Sequence, residues 1–175
     1  VYAKTIGAVA VPAAGLHFTK ALLKKLEAKG VKIAPVLLHV GLGALNPIEV
    51  EDLHKHKLDS EYFEISSETA TIINKTIDSK HSVFVVGTST CRALESSTTA
   101  DAHVKSGKGW TDKFIFPPYE FKITDKLITN FHLPESPLLM LASAFGGHEF
   151  LMRSYKKAMK DGYRFYSYGD AMLML

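Results

Sequence analysis

The sequence predicts an α/β fold in which strands and helices alternate along one domain. Two observations carry the prediction. Short apolar, β-branched runs such as residues 31–40 and 83–86 are typical of strands. The segments between them, such as 19–30 and 66–78, have apolar residues at helical spacing. This alternation also favours substantial parallel pairing, and 175 residues are enough to bury one sizeable core.

The amino-terminal part predicts a strand–helix–strand unit. Residues 6–11 are apolar and form the first expected strand. Thr19 suits the N-cap of a helix whose leucines share one face, and Gly30 ends it. Residues 31–40 form the second strand. Residues 42–57 are polar and contain a proline, which predicts a loop.

The rest of the chain continues the alternation. We expect strands at 61–65, 83–86, 113–116, 126–131 and 164–168, each apolar or aromatic. We expect helices at about 66–78, after Gly87, at 136–145 and at 148–160, from serine caps, apolar spacing and a stop at Gly162. Residues 97–109 are small and polar, which predicts a mobile loop.

Composition narrows the class of protein. Net charge is +3, and only 3 of the 21 basic residues are arginine, so charge alone does not indicate nucleic-acid binding. Cys91 is the single cysteine, which excludes an internal disulfide and fits a reducing cytoplasm. The longest strongly apolar run, 138–145, is too short to cross a bilayer. The chain begins at Val1 rather than Met, so we expect a fragment. We also expect a monomer, located in the cytoplasm.

A turn from strand to helix at residues 87–90 is a candidate anion site. Its glycine, two threonines and serine place backbone N–H groups and the hydroxyls of Thr88 and Ser89 at a helix amino terminus. Arg92 follows, and guanidinium binds carboxylate or phosphate in a bidentate manner. The alternative is a simple helix cap with an exposed arginine.

Histidines and strand-end carboxylates supply candidates for proton transfer. His17 and His39 end apolar segments beside glycines, where a core hydrogen bond is the alternative. His132 lies between hydrophobic residues, just after Asn130. A metal site at His54, His56 and Asp59 is disfavoured because no further ligand is in register, so no metal is expected.

Aromatic residues accompany two carboxylates. Asp112 follows Trp110, and Asp170 follows an aromatic segment that ends in Tyr168. Aromatic rings beside a carboxylate can hold a flat cationic ligand by stacking and cation–π attraction. An aromatic strand is equally suited to a core.

Taken together, these motifs resemble the S-adenosylmethionine:tRNA ribosyltransferase-isomerase family of queuosine biosynthesis. The resemblance runs nearly end to end. The segments that carry it are 11–18, 38–41, His56 with 60–62, 86–96, 109–112, 127–134, 162–165 and 168–172.

The resemblance implies a barrel-like α/β main domain, of which residues 1–175 are the carboxyl-terminal part. The family's amino-terminal part and its inserted small β domain are missing from this sequence. It also implies S-adenosylmethionine as ribosyl donor, and as partner a tRNA whose wobble base is an aminomethyl-7-deazaguanine. Adenine and methionine leave, and epoxyqueuosine forms.

If the chain catalyses this reaction, a base must take a proton beside the sulfonium, and the candidates are His17, His39 and His132. Asp112 or Asp170 balances the sulfonium or holds ribose hydroxyls. Arg92 holds a carboxylate or phosphate, and Asn130 serves the departing adenine. Which histidine is the base remains open.

Two departures from the family pattern favour an alternative. Ala44-Leu45 stands where the family usually has Thr-Phe, and Leu58-Asp59 where it usually has Met-His. A divergent, non-catalytic relative that binds tRNA or a nucleotide is therefore the second hypothesis. A methyltransferase of the ordinary kind is disfavoured because no glycine-rich turn follows a first strand.

Overall fold

Two three-stranded sheets and five α-helices form the described part of the protein. The structure, a computed structural model, describes residues 1–41, 43 and 46–175. The strands are β1 (Leu37–His39), β2 (Glu61–Ile65), β3 (Phe84–Val86), β4 (Gly107–Thr111), β5 (Lys126–Asn130) and β6 (Ala171–Met174). The helices are α1 (Lys20–Ala28), α2 (Ser67–Asp78), α3 (Thr88–Ser96), α4 (Pro137–Gly146) and α5 (His148–Lys160). The predicted α/β class is confirmed.

Pairing in the sheets differs from the expectation of parallel strands. The first sheet has the order β1-β2-β4 and is antiparallel throughout. The second has the order β3-β5-β6, and β3 with β5 is the one parallel pair within the described ranges. The carboxyl ends of β3 and β5 and the beginning of β6 therefore share one edge, which we call the carboxyl edge of the second sheet.

The predicted helices form where their caps are. The side-chain oxygens of Thr19, Ser66 and Ser136 accept hydrogen bonds from backbone N–H groups in the first turns of α1, α2 and α4, at 3.0, 3.0 and 3.2 Å. Such caps satisfy donors that a helix leaves unpaired. None of the described helices is long and apolar enough to span a membrane.

Four predicted strand assignments differ from the structure: three of these strands do not form, and one is shorter than predicted. Residues 6–11 form no strand: the backbone N–H groups of Val9 and Ala10 both donate to the oxygen of Val40, which is not a strand ladder, and Ile6 is 97% exposed. As a result the strand–helix–strand unit does not form. In addition, only Leu37–His39 of residues 31–40 is a strand, and it pairs with β2. Residues 113–116 are irregular, and β4 instead lies within the predicted loop 97–109 and just beyond it.

The carboxyl terminus gives the fourth error. Residues 164–168 form a tight turn with a 3-10 segment, Tyr166–Tyr168, because Tyr166 has φ of 71°, which an extended strand does not allow. The strand comes later, as β6, and pairs with β5.

The core lies in two clusters. The larger packs α2 and α3 against both sheets, around residues such as Ile65, Val85, Leu94 and Leu127. The smaller lies between α4, α5 and the end of β5, around Phe131. The core thereby fixes the ends of β3 and β5, beside which Thr88, Ser89 and Asn130 of the predicted site lie.

Candidate active site

His17 and Asn130 meet at the carboxyl edge of the second sheet, although 113 positions separate them in the chain. Asn130 is the last residue of β5, and its Nδ2 lies 3.1 Å from Nε2 of His17. His17 ends a 3-10 segment, Ala13–His17, that contacts β5. His17 is exposed and Asn130 is buried. The pair thus joins a solvent-accessible imidazole to a fixed amide.

One polar atom of this pair has no partner. Oδ1 of Asn130 is buried and accepts no hydrogen bond from the described residues. Nδ2 donates both to His17 and to the backbone oxygen of Tyr166, at 3.4 Å, which sets the orientation of the amide. A buried acceptor without a donor is unfavourable by about 1–3 kcal/mol. Oδ1 is therefore well suited to accept a hydrogen bond from a ligand.

Asp170 lies beside this pair, at the start of β6. Its carboxylate accepts from the backbone N–H of Arg164 at 2.7 Å and from the guanidinium of Arg164 at 3.1 Å. These hydrogen bonds lower the pKa of Asp170, and the nearby His17 lowers it further. Tyr168 occupies the tip of the same turn and is 93% exposed.

The amino terminus of α3 forms the other side of this edge. Gly87 precedes the helix with φ of 92°, and no side chain caps the first turn. A side-chain carbon placed on Gly87 would lie 3.8 Å from Ala14 of the 3-10 segment that carries His17. Thr88 is buried and Ser89 is half-buried. The free N–H groups of this turn suit an anion.

Arg92 lies one turn further along α3, roughly 6 Å along the helix axis, and is fully engaged inside the protein. Its Nη1 donates to the Glu61 carboxylate at 2.7 Å, with both side chains at most 6% exposed. Its Nε donates to the backbone oxygen of Lys113 at 2.9 Å and Nη2 to that of Thr111 at 3.3 Å. The exposed arginine that the helix-cap alternative required is not observed. Direct binding of an anion by Arg92 stays a prediction that would require this pair to open.

Asp112 and His39 lie near the Arg92–Glu61 pair, at the end of the first sheet. Asp112 is exposed and follows Thr111, the last residue of β4. His39 ends β1, its ring lies 5.2 Å from that of Tyr62, and its Nε2 is buried without a partner among the described residues. The structure therefore gathers His17, Asn130, Asp170, Thr88 and Ser89 at one edge, and Asp112 and His39 around the Arg92 pair.

His132 is separate from both groups and faces the core. Its Nε2 lies 3.0 Å from the Thr129 hydroxyl, and its backbone N–H donates to the Tyr155 hydroxyl at 3.0 Å. Burial lowers the pKa of His132 to about 4. An imidazole with so low a pKa is a weak base, so the geometry favours His17 for proton transfer.

Known proteins match this chain over its whole length. The family described as queuosine biosynthesis protein matches residues 1–174. The chain belongs to this family. The S-adenosylmethionine:tRNA ribosyltransferase-isomerase of Cytophaga hutchinsonii is 55% identical over 175 residues, which are 100% of this chain and 50% of that protein. That of a Sulfurihydrogenibium species is 56% identical over 177 residues, covering 100% and 51%.

A solved structure agrees with the fold. The crystal structure of S-adenosylmethionine tRNA ribosyltransferase from Thermotoga maritima matches with a TM-score of 0.77 at 44% identity, over 93% of this chain and 51% of that one. The family fold that the resemblance implied is thereby confirmed. The chain spans about half the length of the curated relatives it matches.

Two buried carboxylates of this family member were not among the predicted site residues. Glu61 holds Arg92 and also accepts from the backbone N–H of Gly41 at 3.1 Å. Glu95 accepts from three successive backbone N–H groups, Lys122 to Thr124, at 3.0 to 3.1 Å. The signal for Glu61 was available, since alternation along β2 places it on the buried face with Phe63 and Ile65. The partners of Glu95 are distant in sequence and gave no local signal.

Two further predictions concern the loop before β2. His54 and His56 contact Phe116 and Phe114 with ring centroids 5.0 and 4.8 Å apart. Among the described residues no group of three potential ligands is arranged to hold a metal ion. Asp59 lies directly against Gly43. Ala44 and Leu45, the other departure from the family pattern, lie outside the described residues.

Proposed function

We propose that this chain is the carboxyl-terminal part of an S-adenosylmethionine:tRNA ribosyltransferase-isomerase. In this reaction the ribosyl carbons of S-adenosylmethionine pass to the aminomethyl group of a 7-deazaguanine at the tRNA wobble position. An epoxycyclopentanediol forms, and adenine and methionine are released. The names of the relatives support the activity. The observation in the structure that carries the proposal is the His17–Asn130 pair, whose buried Oδ1 has no partner.

His17 is our candidate for the base. The sulfonium acidifies the carbon next to it, and imidazole is the side chain that most often takes a proton in such a step. In the structure Asn130 donates to Nε2 of His17, so the neutral ring carries its hydrogen on Nδ1. Proton uptake at Nε2 replaces this hydrogen bond, and the carboxylate of Asp170 stabilises the resulting imidazolium.

The same edge offers groups for both ends of the donor substrate. The unpartnered Oδ1 of Asn130 would accept from the amino group of adenine and orient it for departure. The uncapped turn of Thr88 and Ser89 would bind the carboxylate of the methionine part. Tyr168, exposed at the tip of its turn, would cover the flat base.

The remaining predicted residues take supporting roles in this proposal. Arg92, with Glu61, positions the ends of β2 and β4 beside the first turn of α3. Asp112, exposed at the end of β4, would hold ribose hydroxyls or balance the sulfonium. His39 and His132 act through their neighbours, since His39 packs on Tyr62 and His132 is buried.

Adenine release tests the proposal directly. The chain is incubated, alone and together with the part of the Cytophaga hutchinsonii relative that it does not match, with S-adenosylmethionine and tRNA carrying the deazaguanine. The intact relative serves as positive control. Adenine and methionine should appear in equal amounts, at a rate that Asn130→Ala greatly lowers. If the intact relative releases adenine and every mixture with this chain releases none, the enzyme proposal fails.

One observation favours the second candidate, a non-catalytic relative that binds tRNA or a nucleotide. Asp59 replaces the usual histidine and lies against Gly43, where it adds a carboxylate. Binding of tRNA without adenine release, in the mixture just described, would support this candidate.

A further inference from the structure

Three aromatic rings form a row across the outer face of the first sheet. His39, Tyr62 and Trp110 are direct register partners on β1, β2 and β4. The ring centroids of His39 and Tyr62 are 5.2 Å apart, and those of Tyr62 and Trp110 are 5.6 Å apart. Trp110 lies on β4, at the edge of the sheet, and is 70% exposed. We call these three residues the ring row.

The ring row is not part of either core cluster. Glu61, Phe63 and Ile65 of β2 point to the buried face, so Tyr62 and Glu64 point to the outer one. Beside the row, Glu64 and Lys108 are exposed register partners. The Tyr62 hydroxyl donates to the Glu64 carboxylate at 3.4 Å, which restrains the Tyr62 ring. The backbone of Gly7 lies against the His39 ring, whose Nε2 is buried, so the row is an ordered aromatic cluster that is open at its Trp110 end.

We propose that the ring row is a stacking platform for an unpaired base of the RNA partner. The proposal rests on the proposed function, which supplies that partner. Every base has a π face that stacks on an aromatic ring. The Lys108 ammonium beside Trp110 would attract the adjoining phosphate. The Glu64 carboxylate can accept from an exocyclic amino group, as carboxylates do from cytosine.

The openness of the row favours RNA over a small molecule. Sites for small ligands are concave and bury most of the ligand surface. A tryptophan that is 70% exposed at a sheet edge covers only one face of a flat ligand. A single base held only in this way would dissociate easily. A base of a polymer, held also through its phosphates, would not.

Trp110 is the one tryptophan of the sequence, so intrinsic tryptophan fluorescence reports on this platform alone. The chain is titrated with an RNA stem–loop that has an unpaired loop, with a blunt RNA duplex of equal length, and with S-adenosylmethionine. We expect the stem–loop to quench Trp110 and the other two to leave its emission unchanged, because only the loop offers an unstacked base.

Binding is measured independently from the anisotropy of a dye-labelled stem–loop. Trp110→Ala should raise Kd about tenfold, the effect of losing one stacked base, and Trp110→Phe should restore most of the affinity. The matched control is Phe150→Ala, which removes another exposed aromatic ring, 63% exposed on α5, and should leave Kd unchanged.

Several outcomes would overturn the platform. One is that the stem–loop fails to bind, binds without quenching Trp110, or binds the parent and Trp110→Ala with equal Kd. Another is that S-adenosylmethionine alone quenches Trp110. A third is that the unmatched half of the relative, added without RNA, changes the Trp110 emission. Adenine release is read separately. If the stem–loop quenches Trp110 but no adenine is released, the proposed function is refuted and the stacking platform is still supported.

Discussion

Replacing Glu61 by glutamine leaves the Arg92 guanidinium buried without its counter-charge. The two side chains are 6% and 4% exposed and are joined by a 2.7 Å hydrogen bond. Glu61 also accepts from the Gly41 backbone N–H at 3.1 Å. Arg92 reaches the backbone oxygens of Lys113 and Thr111. The pair therefore ties α3 to the ends of all three strands of the first sheet.

The expected loss is large because little water reaches the pair. Removing one partner of a buried ion pair destabilises a protein by about 3–5 kcal/mol, since the remaining charge stays desolvated. For a chain of this size each kcal/mol lowers Tm by roughly 2–4 °C, so Glu61→Gln should lower Tm by roughly 6–20 °C. Arg92→Met should be comparably destabilising. The double variant should lose less than the sum of the two single variants, because it leaves no uncompensated charge.

Urea unfolding followed by circular dichroism measures these free energies. The matched control is the exposed pair of Lys55 and Asp52, 76% and 48% exposed and 3.8 Å apart, for which Asp52→Asn should change stability by less than about 1 kcal/mol. If Glu61→Gln is no more destabilising than Asp52→Asn, Arg92 is not held as the structure indicates. The Arg92 guanidinium would then be available to bind an anion directly.

Four further outcomes are expected. His17→Ala should lower adenine release about a hundredfold or more with Tm unchanged, because His17 is exposed and acts as base; normal release would refute this role. Folding favours neutral His132, whose pKa falls from 6.5 to about 4. Above pH 6.5 His132 is neutral in both states and does not affect the free energy of unfolding. As pH falls from 6.5 toward 4, only the unfolded chain takes up this proton, and the free energy of unfolding decreases by about 3 kcal/mol. In urea unfolding, His132→Gln should lack this decrease with falling pH. Burial raises the pKa of Cys91 to about 12, so a disulfide reagent at pH 8 should label it only after unfolding, and rapid native labelling would contradict its burial. Asp59→His should change the rate or substrate choice of adenine release, and identical kinetics would show Asp59 to be uninvolved.

Sequence rules predicted an element correctly where the interaction that begins the element lies within a few residues of it. The caps at Thr19, Ser66 and Ser136 begin three helices as predicted, because a hydroxyl within three residues supplies the missing acceptor. The same rules failed for strands, because a strand forms only when it pairs with another strand that is distant in sequence. Residues 6–11 have strand composition, but Val9 and Ala10 donate to the single backbone oxygen of Val40 and form no ladder. β4, rich in glycine, is a strand because it pairs with β2 over its whole length.

The residues of the candidate site also fall into two groups, those that the sequence indicated and those whose surroundings only the tertiary structure revealed. Residue types and their position after apolar runs indicated His17, Asn130 and Asp170, and the resemblance supplied a family that is now confirmed. Neither revealed that Arg92 is buried against Glu61, or that His132 faces the core. A guanidinium has the same sequence signature whether its partner is a substrate or a glutamate 31 positions away.

Chain composition and motifs were sufficient for the α/β class, the helix boundaries and the family of this protein, because each depends on neighbours within a few residues or on residue identity itself. Strand pairing, the burial of Arg92 and His132, and the meeting of His17 with Asn130 depended on contacts between distant segments. Those contacts form only when burial of the two core clusters brings the strand ends together.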